Sequence, residues 1–262
     1  MKIAVCVKQV PARNEGMMDP KTGSMIRNGS VAVNTDDMAA LELAAELKEA
    51  CGASLDAFTM GPPRAEEALK TCFEFGADRG FLLCDPAFAG ADVLATSYTL
   101  SQGILSQGDY DLVICGSRTT DGDTGQVSGA LSRWLDFSFY NGVTEFSQAQ
   151  EQGITIRQRL TPGEYSWQIR FPCVISVDSG ACVPRIPSLK AKLAARSRTV
   201  RRLTLQDLRD PDCTHYGAKG SATRVKKVYT PPRRAPGARI HNENGQAAGY
   251  LYDLLKEMRI VE

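Results

Sequence analysis

The chain has 262 residues, 43% of them hydrophobic and 23% charged, with a formal net charge of +1. That suffices for one large α/β domain, or for a domain with an appendage. No run of about 18 apolar residues occurs, so no membrane span is expected. The opening Met1-Lys-Ile-Ala-Val-Cys-Val reads as a core strand rather than a secretory leader.

The near-zero charge conceals a split. Residues 184–240 carry fifteen Lys and Arg against three Asp and Glu, while the remainder carries sixteen against twenty-seven. This predicts an acidic body over 1–183 and, over 184–262, a basic arm that ends in a helix. The eight cysteines are scattered, with no Cys-x-x-Cys pair. A reduced, cytoplasmic setting is therefore expected, and a zinc or iron–sulfur centre is not.

In chain order, residues 2–7 are predicted as the first strand. An irregular stretch follows over 9–30, with turns at Asp19-Pro-Lys-Thr-Gly23 and Asn28-Gly29. Thr35-Asp-Asp37 caps a helix over 38–50 with apolar residues at helical spacing. Strands are expected at 54–59, 79–84 and 110–115, and helices at 65–75 and 91–107. Strands alternating with helices at this spacing argue for a doubly wound, mainly parallel sheet. Residues 153–159 and 165–170 alternate around a Thr161-Pro-Gly-Glu164 turn, the signature of an inserted β-hairpin. Residues 172–177 look like a further core strand. Residues 184–244 read as the extended arm, and 246–258 as an amphipathic helix with Tyr250, Leu251, Leu254, Leu255 and Met258 on one face.

Ligands of such sheets lie beyond the carboxyl ends of the strands. The candidates are thus the residues after each strand: 6–9, 34–37, 60–62 and, above all, Gly116-Ser-Arg-Thr-Thr-Asp-Gly-Asp-Thr-Gly125. The last loop runs into a helix over 124–134, and a helix N-terminus offers free N–H groups to a phosphate. Asp123 and Thr124 fit that cradle or simple helix capping equally well. Lys8 is either a charge for a phosphate or reduced flavin, or an ordinary surface lysine. Asn34 and Asp37 either bind a ribose or adenine edge or cap the next helix. No catalytic constellation, P-loop or Gly-x-Gly-x-x-Gly fingerprint is present. The chemistry is left to what the site holds. His215 and His241 fall in the arm, away from the site. Few aromatics interleave with the arm's arginines, which favours an acidic protein partner over nucleic acid.

Six motifs then fall in register: Val5-Cys-Val-Lys-Gln-Val-Pro11, Asn34, Met60-Gly-Pro-Pro63, Gly76-Ala-Asp78, Asp121-Gly-Asp-Thr-Gly-Gln-Val127 and Pro184-Arg-Ile-Pro-Ser-Leu-Lys190. In this order they resemble the β subunit of electron transfer flavoproteins. The resemblance implies pairing with an α subunit and an adenine nucleotide in the loops above. That nucleotide is a structural AMP in ordinary members, and in bifurcating members an FAD that takes a hydride from NADH. Residues 19–27 and 88–97 resemble the bifurcating branch, so FAD is expected here, with AMP as the alternative. By matching position, the nucleotide would meet Cys6, Val7, Lys8, Asn34, Asp37, Met60, Gly116, Ser117, Arg118, Asp121, Asp123, Thr124, Gly125, Gln126 and Val127. The family's docking loop for acyl-CoA dehydrogenase-type flavoenzymes would fall on Pro184, Arg185, Ile186, Pro187 and Leu189, with Ile186 as the apolar anchor. Two departures stand out: Gly116-Ser-Arg-Thr119 replaces the usual Gly-Lys-Gln-Ala, and Cys182-Val183 replaces the usual Asn-Glu. A nucleotide-activating ligase of the same broad fold would need a Ser-Gly-Gly loop where Lys8-Gln9-Val10 stands. A nucleotide-sensing module without redox function would need no partner, and the basic arm argues against it.

Overall fold

The computed structural model describes residues 1–12, 30–150, 152–226, 237, 241–242 and 245–261, and the backbone at 17–18 and 25–26. The chain divides into two compact units, Met1–Lys227 and Val228–Glu262.

The first unit is built on a nine-stranded sheet. In chain order its elements are β1 (Lys2–Cys6), β2 (Gln9–Pro11), β3 (Met17–Met18), β4 (Met25–Ile26), β5 (Val31–Val33), α1 (Thr35–Cys51), β6 (Ser54–Met60), α2 (Glu66–Glu74), β7 (Arg79–Leu83), α3 (Val93–Ser106), β8 (Leu112–Gly116), α4 (Val127–Leu135), β9 (Ser138–Gln150), β10 (Gly153–Leu160), β11 (Gly163–Arg170), β12 (Cys173–Val177), α5 (Leu189–Arg196), β13 (Val200–Leu203) and α6 (Gly217–Gly220). The sheet order is β11-β10-β9-β12-β8-β1-β6-β7-β13. Its strands from β9 to β13 run parallel, and β10 and β11 continue it antiparallel as the hairpin. The central strands are buried on both faces, which is why each reads as a nearly unbroken apolar run.

Alternate residues feed two cores. Ile3 and Val5 join α1 and α2 on one face; Ala4 and Cys6 join α3 and α4 on the other. The fold is thus the expected doubly wound, mainly parallel sheet. Local signals set the element ends. Gly52 closes α1 at φ 67°, its N–H bonded to Lys48 O. The Asp92 carboxylate caps α3 by accepting from Ala95 N.

Three features differ from the sequence reading. The hairpin is preceded by the 13-residue β9, which was not foreseen. Strand β12 is inserted between β9 and β8, two elements that precede it in the chain. Most consequentially, the basic segment is not extended from residue 184. It forms α5, adds β13 to the edge beside β7, and buries Leu203, Leu208 and Tyr216 in the second core. These few apolar residues suffice because they complete an existing core instead of founding one. Arg201 and Arg202 stay exposed on the edge strand, where charge guards against further pairing.

The turns expected at 19–23 and 28–29, and most of residues 227–244, lie outside the described residues. The second unit holds α7 (Ala247–Glu257), whose Tyr250, Leu251, Leu254 and Met258 are exposed. Among the described residues, no helix is long and apolar enough to cross a membrane.

Candidate functional site at the carboxyl edge of the sheet

From β1 the chain winds outward through β6 and β7, then returns to β8 on the opposite side of β1. The winding reverses between β1 and β8, and it is at such a switch point, beyond the carboxyl ends of the strands, that open α/β sheets form their ligand crevice. The loop after β1 and the loop after β8 form its two walls.

Hydrogen bonds bring the predicted residues of both walls together. The Lys8 backbone N–H donates to Asp37 Oδ2 at 2.7 Å, and its carbonyl accepts from Asn34 N at 2.9 Å. Lys8 Nζ reaches Asp121 Oδ1 at 2.6 Å. Asn34 is fully buried, with its side chain turned onto the loop after β8. There Nδ2 donates to Arg118 O at 2.7 Å, and Oδ1 accepts from Thr120 N at 3.1 Å. Asn34 occupies the N-cap position of α1, yet its side chain makes no capping bond. The capping reading of Asn34 gives way: its side chain clamps one wall to the other.

Gly116 explains how the walls approach. A Cβ there would collide with the Asp37 carboxylate and backbone nitrogen. The start of the loop therefore lies directly against the start of α1. Burial pushes the Asp37 carboxyl up to about 7, against the opposing pull of the Lys8 N–H and Asn34 hydrogen bonds. Ser117 is held from the other side, its N–H bonded to Val177 O at 2.8 Å.

Beyond the clamp, Gly122 to Gln126 are exposed. Asp123 and Gly125 adopt left-handed φ values of 47° and 61°. Gln126 stands at the N-cap of α4 and no side chain caps the helix. The capping reading of Asp123 and Thr124 is thus not what the structure has. The ladder of α4 begins with Ala130 N to Gln126 O at 3.0 Å, so the amides of 127–129 stand at the open helix start. Arg118 lies alongside, 3.7 Å from Asp123 and 69% exposed. Amides at a helix start, turned out by left-handed residues beside a guanidinium, fit a phosphate or pyrophosphate.

The remaining predicted residues are supporting walls. Cys6 and Val7 are buried, and Cys6 stands in register with Cys115 of β8. The hydrogen bond with Cys6, together with burial, pushes the Cys115 thiol well up, away from reactive thiolate. Half-buried Met60 ends β6, and Gln9 Nε2 ties the first wall to that turn through Arg64 O at 2.9 Å. Val127 opens α4.

Two contributors lie outside the positions matched to the family, Asp36 within the candidate loop 34–37 and Ser179 beyond all the candidate loops. Asp36 accepts from Arg118 N at 3.0 Å and from Ser179 N at 3.1 Å, so one carboxylate joins the loops after β8 and β12. The carboxyl-edge rule would have flagged Ser179 had β12 been placed beside β8.

Away from the crevice, Pro184 to Leu189 connects β12 to α5, with Ile186 91% and Leu189 73% exposed. Ser188 caps α5 by accepting from Ala191 N. His215, expected as a solvated arm residue, is exposed but held 2.6 Å from Asp210. Hydrogen bonds from Tyr98 and His215 pull that carboxyl down to about 2. Arginines 185, 198 and 202 of the basic segment all bond within the chain.

A family model described as "Electron transfer flavoprotein domain" matches residues 22–208. The electron transfer flavoprotein subunit beta of Clostridium acetobutylicum is 37% identical over 260 residues, covering 98% of each chain. The caffeyl-CoA reductase-Etf complex subunit CarD of Acetobacterium woodii is 36% identical over 265 residues and the full length of both chains. Protein FixA of Sinorhizobium fredii is 36% identical over 248 residues, 92% of this chain and 87% of its own. The chain belongs to the electron transfer flavoprotein β-subunit family.

Within this family of heterodimer-type subunits, the matched span runs from before α1 to just past β13. It takes in the loop after β8 and the 184–189 connection, and it ends inside the first compact unit.

Proposed function

We propose that this chain is the β subunit of a cytoplasmic αβ electron transfer flavoprotein that holds FAD in the crevice between β1 and β8. The complex takes electrons from NADH and delivers them to a partner flavin and an acyl-CoA dehydrogenase-type flavoenzyme. The observation that carries this reading is the loop after β8: clamped to α1 by Asn34 and Asp36, it presents amides and Arg118 at the uncapped start of α4.

In this reading the bound FAD supplies hydride acceptance and electron delivery, and the protein supplies binding and orientation. The amides around Gly125 and Val127, with Arg118, hold the pyrophosphate. Asn34 and Asp36 keep that loop rigid before the cofactor arrives. Lys8, fixed by Asp121, keeps further N–H donors and its positive charge at the crevice mouth, where they favour anionic groups. The segment 184–189 docks the dehydrogenase through Ile186. The bifurcating relationship is supported by the likeness of residues 19–27 and 88–97 to that branch.

The test is release of the cofactors from the denatured αβ complex. Two FAD per heterodimer, one reducible by NADH, is expected. One FAD with one AMP would replace this reading with a structural nucleotide in the same crevice.

A further inference from the structure

Residues 179–185 are laid along one stripe of α1. Ser179 N donates to Asp36, the Cys182 thiol donates to Ala39 O at 3.6 Å, and Arg185 reaches Glu42 and Glu49. Arg185 is the firmest of these holds. Its backbone N–H donates to Glu42 Oε2 at 2.9 Å, Nε donates to Oε1 at 2.7 Å, and Nη1 donates to Glu49 Oε1 at 2.5 Å. Glu42 is only 3% exposed, so both of its oxygens answer to this one residue. A carboxylate so deep in an otherwise apolar helix face persists because it is fully paired. The residues flanking Arg185 are the opposite: Val183 and Ile186 are each 91% exposed.

From this we infer that Glu42 is a positioning residue for partner docking. By binding the main chain and side chain of Arg185 together, it fixes the backbone between two apolar side chains and holds both outward. Glu42 cannot itself touch a partner. Its contribution is to order the loop in advance, which lowers the entropy lost on association. Glu49 is exposed and contributes less. The inference rests on the reading of 184–189 as the docking loop.

The experiment uses the intact αβ complex and a purified acyl-CoA dehydrogenase that it reduces. Dissociation constants are measured for wild type, Glu42→Ala, Glu42→Gln, Arg185→Lys and Ile186→Ala, alongside flavin content and the rate of flavin reduction by NADH. Glu42→Ala should weaken dehydrogenase binding about tenfold or more, by loss of preorganisation. Glu42→Gln, which keeps one acceptor, should recover part of the loss. Amide exchange at 183–187 should quicken in Glu42→Ala while flavin content and NADH reduction stay at wild-type levels. Arg185→Lys carries the same expectation while keeping Glu42 and the backbone N–H bond to it, so it stands if Glu42→Ala does not fold. Ile186→Ala reports on the docking reading alone. If that variant binds normally, the docking reading and this inference fall together. If Ile186→Ala weakens binding while Glu42→Ala and Arg185→Lys do not, docking stands and the positioning role is wrong. Loss of flavin in parallel with binding would also overturn it.

Discussion

Lys8 and Asp121 face each other across the crevice, Nζ to Oδ1 at 2.6 Å, one from the loop after β1 and the other from the loop after β8. Asp121 is 5% exposed and Lys8 38%, so the pair has a buried anion and an accessible cation. The lysine therefore latches the two walls and keeps its charge accessible. Lys8→Ala is expected to lower the melting temperature of the complex and to slow flavin reduction by NADH. Lys8→Arg should restore the latch better than the reduction rate, since the guanidinium reaches further and spreads its charge. Differential scanning calorimetry and stopped-flow reduction separate the two effects.

Asn34→Ala removes the partners of Arg118 O and Thr120 N in one step. With those groups unsatisfied, the cost to the folded chain is about 1–3 kcal/mol for each one left buried. Nucleotide content should fall as well, because the cradle loses its anchor. Urea denaturation without nucleotide, followed by cofactor analysis of the complex, measures both.

Asp123→Ala and Thr124→Val should behave differently. Neither side chain caps α4, so the apo protein should lose little stability. Nucleotide binding should weaken, because Asp123 holds a left-handed turn beside Arg118 and Thr124 sits between the two left-handed residues. A melting temperature that falls by the amount of a lost cap, about 1 kcal/mol, with unchanged flavin content would contradict this.

Asp37 makes the protein pH-sensitive in a definite direction. Its folded-state value is raised from 3.8 to about 7, chiefly by burial. Between those values the folded protein keeps a proton that the unfolded chain gives up, so stability falls as pH rises and the cost is complete above about 7. Asp37→Asn keeps an acceptor for the Lys8 N–H and removes the titration. Relative to this variant, the wild type should lose roughly 2–3 kcal/mol between pH 5 and pH 8. Parallel denaturation curves for the two proteins across that range would disprove it.

Truncation tests where the folded body ends. A chain ending at Lys227 keeps β13, Leu208 and Tyr216 and should give the full cooperative unfolding transition of the first unit. A chain ending at Val183 loses these buried residues and uncovers β7, and should be insoluble or molten by near-ultraviolet circular dichroism.

The alternation of β1, α1, β6, α2, β7, α3, β8 and α4 was legible in the sequence to within a few residues. Each of these elements announces itself through apolar spacing and a turn or cap nearby, and those signals are local. The carboxyl-edge rule then named loops that the structure brings together at one edge of the sheet, because strand direction follows from the alternation itself. Strands β9, β12 and β13 were different. Their places depend on pairing with strands distant in sequence, and a strand such as Val-Arg-Arg-Leu that buries one residue firmly has too weak a pattern to be read alone. The roles of Asn34, Asp36 and Asp37 were hidden for a related reason. An Asx side chain before a helix can accept from its own first turn or from another loop, and the residue type is the same in both cases. Only the closed sheet decides which N–H comes within reach, and here those of Lys8, Arg118, Thr120 and Ser179 do.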